Sequence, residues 1–485
     1  MPAPLHLSEI LNLGLSQHEI DFVDINFNGD IPLFLDPYFL GQRTDDWSVR
    51  ASLTIRDFFK RFLDLIRSGK EPEAYQLFSH LGEPNETRLG LSKGRPQGRG
   101  VGKGDSEKIF QSLSNSKAVK TGIVEDLEDC RLFVEGIDKD KTSDMVTNII
   151  RRHLLDYTKG QCRNFGIPLT NAPTGFMWIV RDHQWVSEYD ECLIVNGQKI
   201  LLVPKAVVSY SEAYTPSRYH QHFILNFLQD EHLRLGTVLV EQRKHKNGEV
   251  TKFVTKKRLK SEVAPLTKEF ITEFTGQHPE VFEKFKSEAL KKAKSVSNEE
   301  LDGLQSSEIA QHLMKELVAI PTGDADASRY HKTSAAILEL LFYPRLISPQ
   351  MEVKIHEGRK RIDIAYDNAA DEGFFQKLHR QYNTPSQFIF VECKNYSSDP
   401  KNPELDQLAG RFSPNRGKFG ILMCRKIDGL DLFLKRCADT YKDQRGTIVP
   451  LTDQDLIAAL KRLSEGYPLT LEDTLQERFR GIAMQ

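Results

Sequence analysis

Cysteine is scarce and scattered in this 485-residue chain: six in all, at positions 130, 162, 192, 393, 424 and 437, with no CxxC pair. That spacing supplies neither a disulfide framework nor a zinc site, and it suits a reducing compartment. A surplus of one charge is also missing. Lys and Arg number 66 against 68 Asp and Glu, a net charge of −2, so any surface for nucleic acid must be local. Long apolar runs are absent too. None approaches the roughly 20 residues that span a bilayer, and the first residues are too polar for a signal peptide. The expectation is a cytoplasmic protein with no membrane partner. No internal repeat is present.

The length exceeds what one core normally covers, so two or three domains are expected. The patterning divides the chain into four parts. Residues 1–106 form an α+β segment that ends in a Gly/Arg-rich loop, and residues 107–294 a mixed α/β domain for recognition or oligomerisation. Residues 295–327 are a linker with one helix, and 328–485 a C-terminal α/β domain. The fold class is α/β, α+β overall. In the first part, the stretch 21–40 reads as an apolar hairpin and residues 52–68 as an amphipathic helix. One helix is expected over 142–157. Asn247-Gly248 marks a hairpin turn.

From residue 328 the order of elements is legible. A helix over 328–342 precedes strands over 351–356, 360–366 and 387–394, the last two separated by an insertion. A helix over 403–412, a strand over 418–424 and further α/β elements follow. A crossover helix between the third and fourth strands implies a parallel pair in a mixed sheet. Asp363 lies within the second strand. The third strand, FIFVECK, ends in Glu392-Cys393-Lys394. Glu392 and Lys394 are two apart and project to one face, with Cys393 on the other. Two carboxylates and an ammonium at one end of a sheet are costly unless compensated, and a divalent cation and a phosphate would compensate them.

This arrangement over about residues 328–450, with VECKNY and the later Gln407, resembles the PD-(D/E)XK nuclease superfamily, most closely its Mrr-type restriction-endonuclease branch. Ile362 stands where that family's proline often is. The resemblance implies a Mg²⁺ or Mn²⁺ site held by Asp363, Glu392 and the backbone carbonyl of Cys393, with Glu339 as an accessory acid acting through water. It implies that Lys394 orients the attacking water or stabilises charge at the phosphate, and that Gln407 belongs to the site. Arg411, four residues on and on the same helical face, could meet a phosphate, as could Arg416 and Lys418. The alternative for Asp363 and Lys394 is a structural ion pair.

Other motifs are weaker. GRPQGRGVGKGD fails as a phosphate loop: with Gly102-Lys103 as the Gly-Lys pair, position 97 is Gln and position 104 is Gly. Residues 243–260 hold eight Lys/Arg against one Glu, among them Lys244, Lys256, Lys257 and Arg258. They read equally as a phosphate-tracking ribbon and as a solvated edge. His331 reads as an ordinary histidine. His222 and His232 are too far apart along a helix to share a metal. GIDKDKTSD at 136–144 reads as a helix N-terminal cap rather than a calcium loop, since it lacks the distal Glu.

The resemblance therefore implies a metal-dependent endonuclease acting on DNA. By analogy it would be the effector of a restriction or anti-phage defence system, working with other chains of that system. Cutting both strands would require a dimer or higher homo-oligomer. The alternative is a nucleic-acid-binding or scaffold protein with a catalytically silent nuclease fold.

Overall fold

The computed structural model describes residues 6–90, 103–247, 249–291, 295–355, 357, 359–467 and 471–485. Most of the Gly/Arg-rich loop lies outside the described residues, as does Gly248 of the hairpin turn. The chain is mixed α/β.

Buried apolar side chains sort into two large clusters, one drawn from Leu7 to Val296 and one from Ala310 to Ile482. Segments 1–106 and 107–294, read apart in the sequence, thus share one core. Ala206, Tyr343 and Ile347 form a small cluster where the two bodies meet.

In the N-terminal body, helix α1 (Asp46–Arg67) starts earlier than its apolar stripe, because the Asp45 side chain accepts the Ser48 N–H at 2.9 Å. Trp47, Ala51, Ile55, Phe58, Phe62 and Ile66 bury its inner face. Residues 142–157 do not form one helix. A helix over Lys139–Ile149, capped by Asp138, breaks at Ile150, and α2 (Arg151–Phe165) follows. The stretch 21–40 is not a hairpin. Its backbone pairs with distant chain (Phe22 with Pro204, Ile31 with Leu89, Phe34 with Ser209), and Asp36-Pro37 then opens a short helix. Pro32 has no N–H for a ladder, and Pro37 suits a first helical turn. The basic ribbon is a hairpin of β1 (Glu241–Lys244) and β2 (Val250–Phe253), followed by α3 (Lys256–Glu262).

The linker helix α4 (Ser306–Ala319) packs into the C-terminal core through Ala310, Leu313 and Leu317. Helix α5 (Ala327–Phe342) leads to β3 (Leu346–Ile355) and β4 (Lys360–Asn368). After α6 (Gly373–Arg380), the chain runs through β5 (Phe388–Lys394), α7 (Asn402–Ala409), β6 (Phe419–Cys424), α8 (Leu430–Lys442) and β7 (Thr447–Thr452). Helices α9 (Asp453–Ser464) and α10 (Leu471–Ala483) close it, the last not foreseen from the sequence. The sheet order is β3-β4-β5-β6-β7. Its first three strands are antiparallel, and β5, β6 and β7 are parallel, as helical crossovers require. Strand β5 is therefore central, and all its residues after Phe388 are buried.

Candidate active site

The ladder between β4 and β5 ends at the pair Ile364–Val391, one step short of Asp363 and Glu392. Beyond that step the strands part. The Cys393 N–H, freed from the ladder, donates to Asp363 Oδ2 at 3.0 Å. This fixes one acid beside the strand that carries the other. Alternation then puts Glu392 and Lys394 on one face, while Cys393 joins the core.

Lys394 Nζ donates to Glu392 Oε1 and to Gln407 Oε1, each at 3.0 Å. Gln407 Nε2 donates in turn to Glu392 Oε1. Helix α7, which packs against β7 and sets Leu408 beside Gly420 of β6, delivers Gln407. Arg411 lies past the end of α7 and approaches Glu392 Oε2 at 3.7 Å. It also donates to the carbonyls of Arg361 and Gln407, so it spans β4 and α7. Burial, then Asp363, raises the Glu392 carboxyl above the ordinary range, and Lys394 and Arg411 partly offset this. Burial pulls the Lys394 ammonium down, but Glu392 outweighs it and holds lysine above its usual value.

The donor set fits a divalent cation. Two carboxylates sit close enough for one to raise the other, and Glu392 Oε2 is buried without a hydrogen-bond partner. A hard cation takes oxygen ligands of this kind. Among the described residues no three His, Cys, Asp or Glu side chains gather as a preformed metal set. The third protein ligand implied by the resemblance is a backbone carbonyl.

The structure thus brings together Asp363, Glu392, Lys394, Gln407 and Arg411. It also adds His331, which the sequence reading set aside: His331 Nε2 lies 3.8 Å from Asp363 Oδ2. The signal was helical spacing, since His331 stands three residues before the buried Ser334 on α5. Asn395 is a second omission. Its Nδ2 donates to the carbonyls of Pro321 (3.0 Å) and Gly323 (2.7 Å), tying the linker across the end of β5. Arg425 donates to Asn395 Oδ1 at 3.0 Å and to the Ile320 carbonyl at 2.8 Å.

Other expected residues lie elsewhere. Glu339 is not an accessory acid of this site. It faces the N-terminal body, where Lys205 Nζ is 3.2 Å away. Arg416 and Lys418 sit before β6, level with the opposite end of β5 from Lys394. Arg416 donates to the Arg411 carbonyl at 3.2 Å, and Lys418 Nζ reaches the Gln444 carbonyl at 3.5 Å. Lys244 and Lys257 are exposed on the N-terminal body. Lys256 donates to the Gln221 carbonyl at 2.8 Å and Arg258 to Glu262 at 2.8 Å, so these two members of the basic cluster are engaged locally.

Residues 12–215 match a family described as a domain of unknown function, DUF8370. The match falls within the N-terminal body and does not reach Asp363 or Glu392. No curated protein matches the chain, and no solved structure does. No helix among the described residues is long and apolar enough to cross a membrane.

Proposed function

We propose that the C-terminal body is a metal-dependent nuclease that hydrolyses phosphodiester bonds of DNA. The observation that carries this reading is the convergence of Asp363, Glu392 and Lys394 where β4 and β5 part, with a buried Glu392 oxygen that has no hydrogen-bond partner. Mg²⁺ or Mn²⁺ held there would act as a Lewis acid on the phosphate oxygens. Lys394 supplies positive charge to the developing negative charge of the transition state. Gln407 holds the Lys394 ammonium and the Glu392 carboxylate in register through one amide. The Cys393 N–H holds Asp363, and His331 Nε2 flanks the same carboxylate at 3.8 Å. A role in restriction or antiviral defence, in a homo-oligomer and with other chains, belongs to the same proposal by analogy.

One observation favours the alternative of a silent nuclease fold. Asp363, Glu392 and Lys394 are 5%, 1% and 9% exposed, so a phosphate must displace something to reach them. Incubation of single-stranded circular DNA and of supercoiled plasmid with wild type and Lys394→Ala, in Mg²⁺, Mn²⁺ or EDTA, decides between the two. Metal-dependent nicking or linearisation that drops by about 10²-fold or more in the variant is expected. DNA binding without cleavage under any condition would favour the silent fold, and cleavage undiminished by Lys394→Ala would place the active site elsewhere.

A further inference from the structure

A cleft of about 1010 Å³ lies between the two bodies. One wall is N-terminal and includes Trp47 and Arg50 of α1 and Gln161 of α2. The other is the nuclease sheet. Ala365 and Phe390 are part of it, and each is two residues from Asp363 or Glu392 on the same face. His331 lines the cleft and sits 3.8 Å from Asp363. The cleft therefore ends beside the candidate catalytic carboxylates.

Its charge is not balanced. Four acids line it, and three are paired: Asp46 with Arg50 (2.9 Å), Asp156 with Lys159 (3.1 Å) and Glu352 with Arg361 (3.4 Å). The fourth, Asp367, is buried and accepts the backbone N–H of Trp47, and burial pushes its carboxyl well above the ordinary range. Lys332, Lys354 and Arg416 also line the cleft, and among the described residues none forms an ion pair with a carboxylate; Arg416 donates instead to the Arg411 carbonyl. An anion is the ligand such a surplus selects. Half-buried Phe388 and Met351 add apolar surface against which base faces can lie.

Shape narrows the choice. The volume is near the top of the roughly 300–1,000 Å³ that small ligands occupy. A duplex is stiff over about 150 base pairs and carries its phosphates on a convex surface, so it cannot fold into a cleft of that size. A single strand is flexible and can thread it. We propose that this cleft is the path by which a single DNA strand reaches Asp363 and Glu392, making single-stranded DNA the substrate. The inference rests on the nuclease reading for its chemistry, but its binding claim stands apart.

The test measures fluorescence anisotropy of a labelled 20-nucleotide oligo-dT and of a 20-base-pair duplex, with the full-length protein in EDTA and in Ca²⁺. Single-strand binding about tenfold or more tighter than duplex binding is expected. The double variant Lys332→Glu/Lys354→Glu, at two exposed positions, should weaken it by a similar factor. It should also flatten the plot of log affinity against log salt by roughly 1.4, twice the single-strand value per phosphate. Its melting temperature reports that folding is intact, and Lys332→Gln/Lys354→Gln should show a smaller loss in the same direction. Equal affinity for duplex, or binding unmoved by both double variants, overturns the cleft. Strand binding as expected with no cleavage overturns the nuclease and leaves the cleft. Duplex cleavage with unmoved binding does the reverse.

Discussion

Lys205 Nζ lies 3.2 Å from Glu339 Oε1, and both side chains are buried where the two bodies meet. Lys205 also donates to the Gln17 carbonyl at 3.1 Å and lies over the Tyr343 ring. Nearby, Asp21 accepts the Tyr157 hydroxyl at 2.6 Å and the Ser348 N–H at 3.0 Å. Two carboxylates and one ammonium thus join the N-terminal body to the helix that carries His331.

Lys205→Met should destabilise the protein by about 3–5 kcal/mol at pH 8, because it strands a buried carboxylate. The loss should shrink at pH 5. Burial raises the Glu339 carboxyl to about 7, so there it carries a proton. The same raised value sets the sign for wild type. Between the ordinary value of 4.5 and about 7 the folded state holds a proton that the unfolded chain releases, so this group's contribution to stability falls as pH rises through that window. Denaturant melts of both proteins from pH 5 to 8 would check it. An equal loss at both ends would refute the assignment.

Cation uptake at the candidate site should weaken on acidification. Burial and Asp363 raise the Glu392 carboxyl, so it takes a proton at a higher pH than an ordinary glutamate. The protonated form cannot bind metal. Titration with Mn²⁺ followed by electron paramagnetic resonance should show affinity falling between pH 8 and 5. An affinity independent of pH over that range would contradict a site built on Glu392.

Arg411→Ala should tighten Mn²⁺ binding several-fold. The guanidinium sits 3.7 Å from the Glu392 oxygen that has no hydrogen-bond partner, where it competes with a cation. It should also lower stability by about 1–3 kcal/mol, as its hydrogen bonds to the Arg361 and Gln407 carbonyls are lost. Weaker metal binding with unchanged folding would show that Arg411 organises the site instead.

His331→Asn should weaken Mn²⁺ binding by about tenfold, the lower end for a group that orients a ligand. The melting temperature should move little, since Asn keeps a polar side chain there and the ring makes no hydrogen bond among the described residues. Calorimetry on both proteins reads both quantities, and unchanged affinity would reduce His331 to a neighbour of Asp363.

Strand β5 was legible because alternation in FIFVECK fixes which face each residue takes, whatever surrounds it. The parallel pairing of β5 and β6 was legible for a similar reason: the connecting segment is long enough only for a crossover helix. Local spacing puts Gln407 and Arg411 on one helical face; α7 ends at Ala409, before Arg411, yet the chain beyond it still brings Arg411, like Gln407, to Glu392. Sequence spacing did not say which side of α5 meets the sheet. Spacing alone therefore offers Glu339 rather than His331 as the neighbour of Asp363, whereas in the structure His331 lies 3.8 Å from Asp363 and Glu339 faces Lys205. Nor could it show that 21–40 pairs with Pro204 and Leu89 rather than with itself, because those partners are remote in the chain. Local periodicity and turn chemistry act over a few residues and belong to the sequence alone. The joining of the two bodies through Lys205 and Glu339, and the cleft left between them, depend on long-range packing that only the tertiary structure decides.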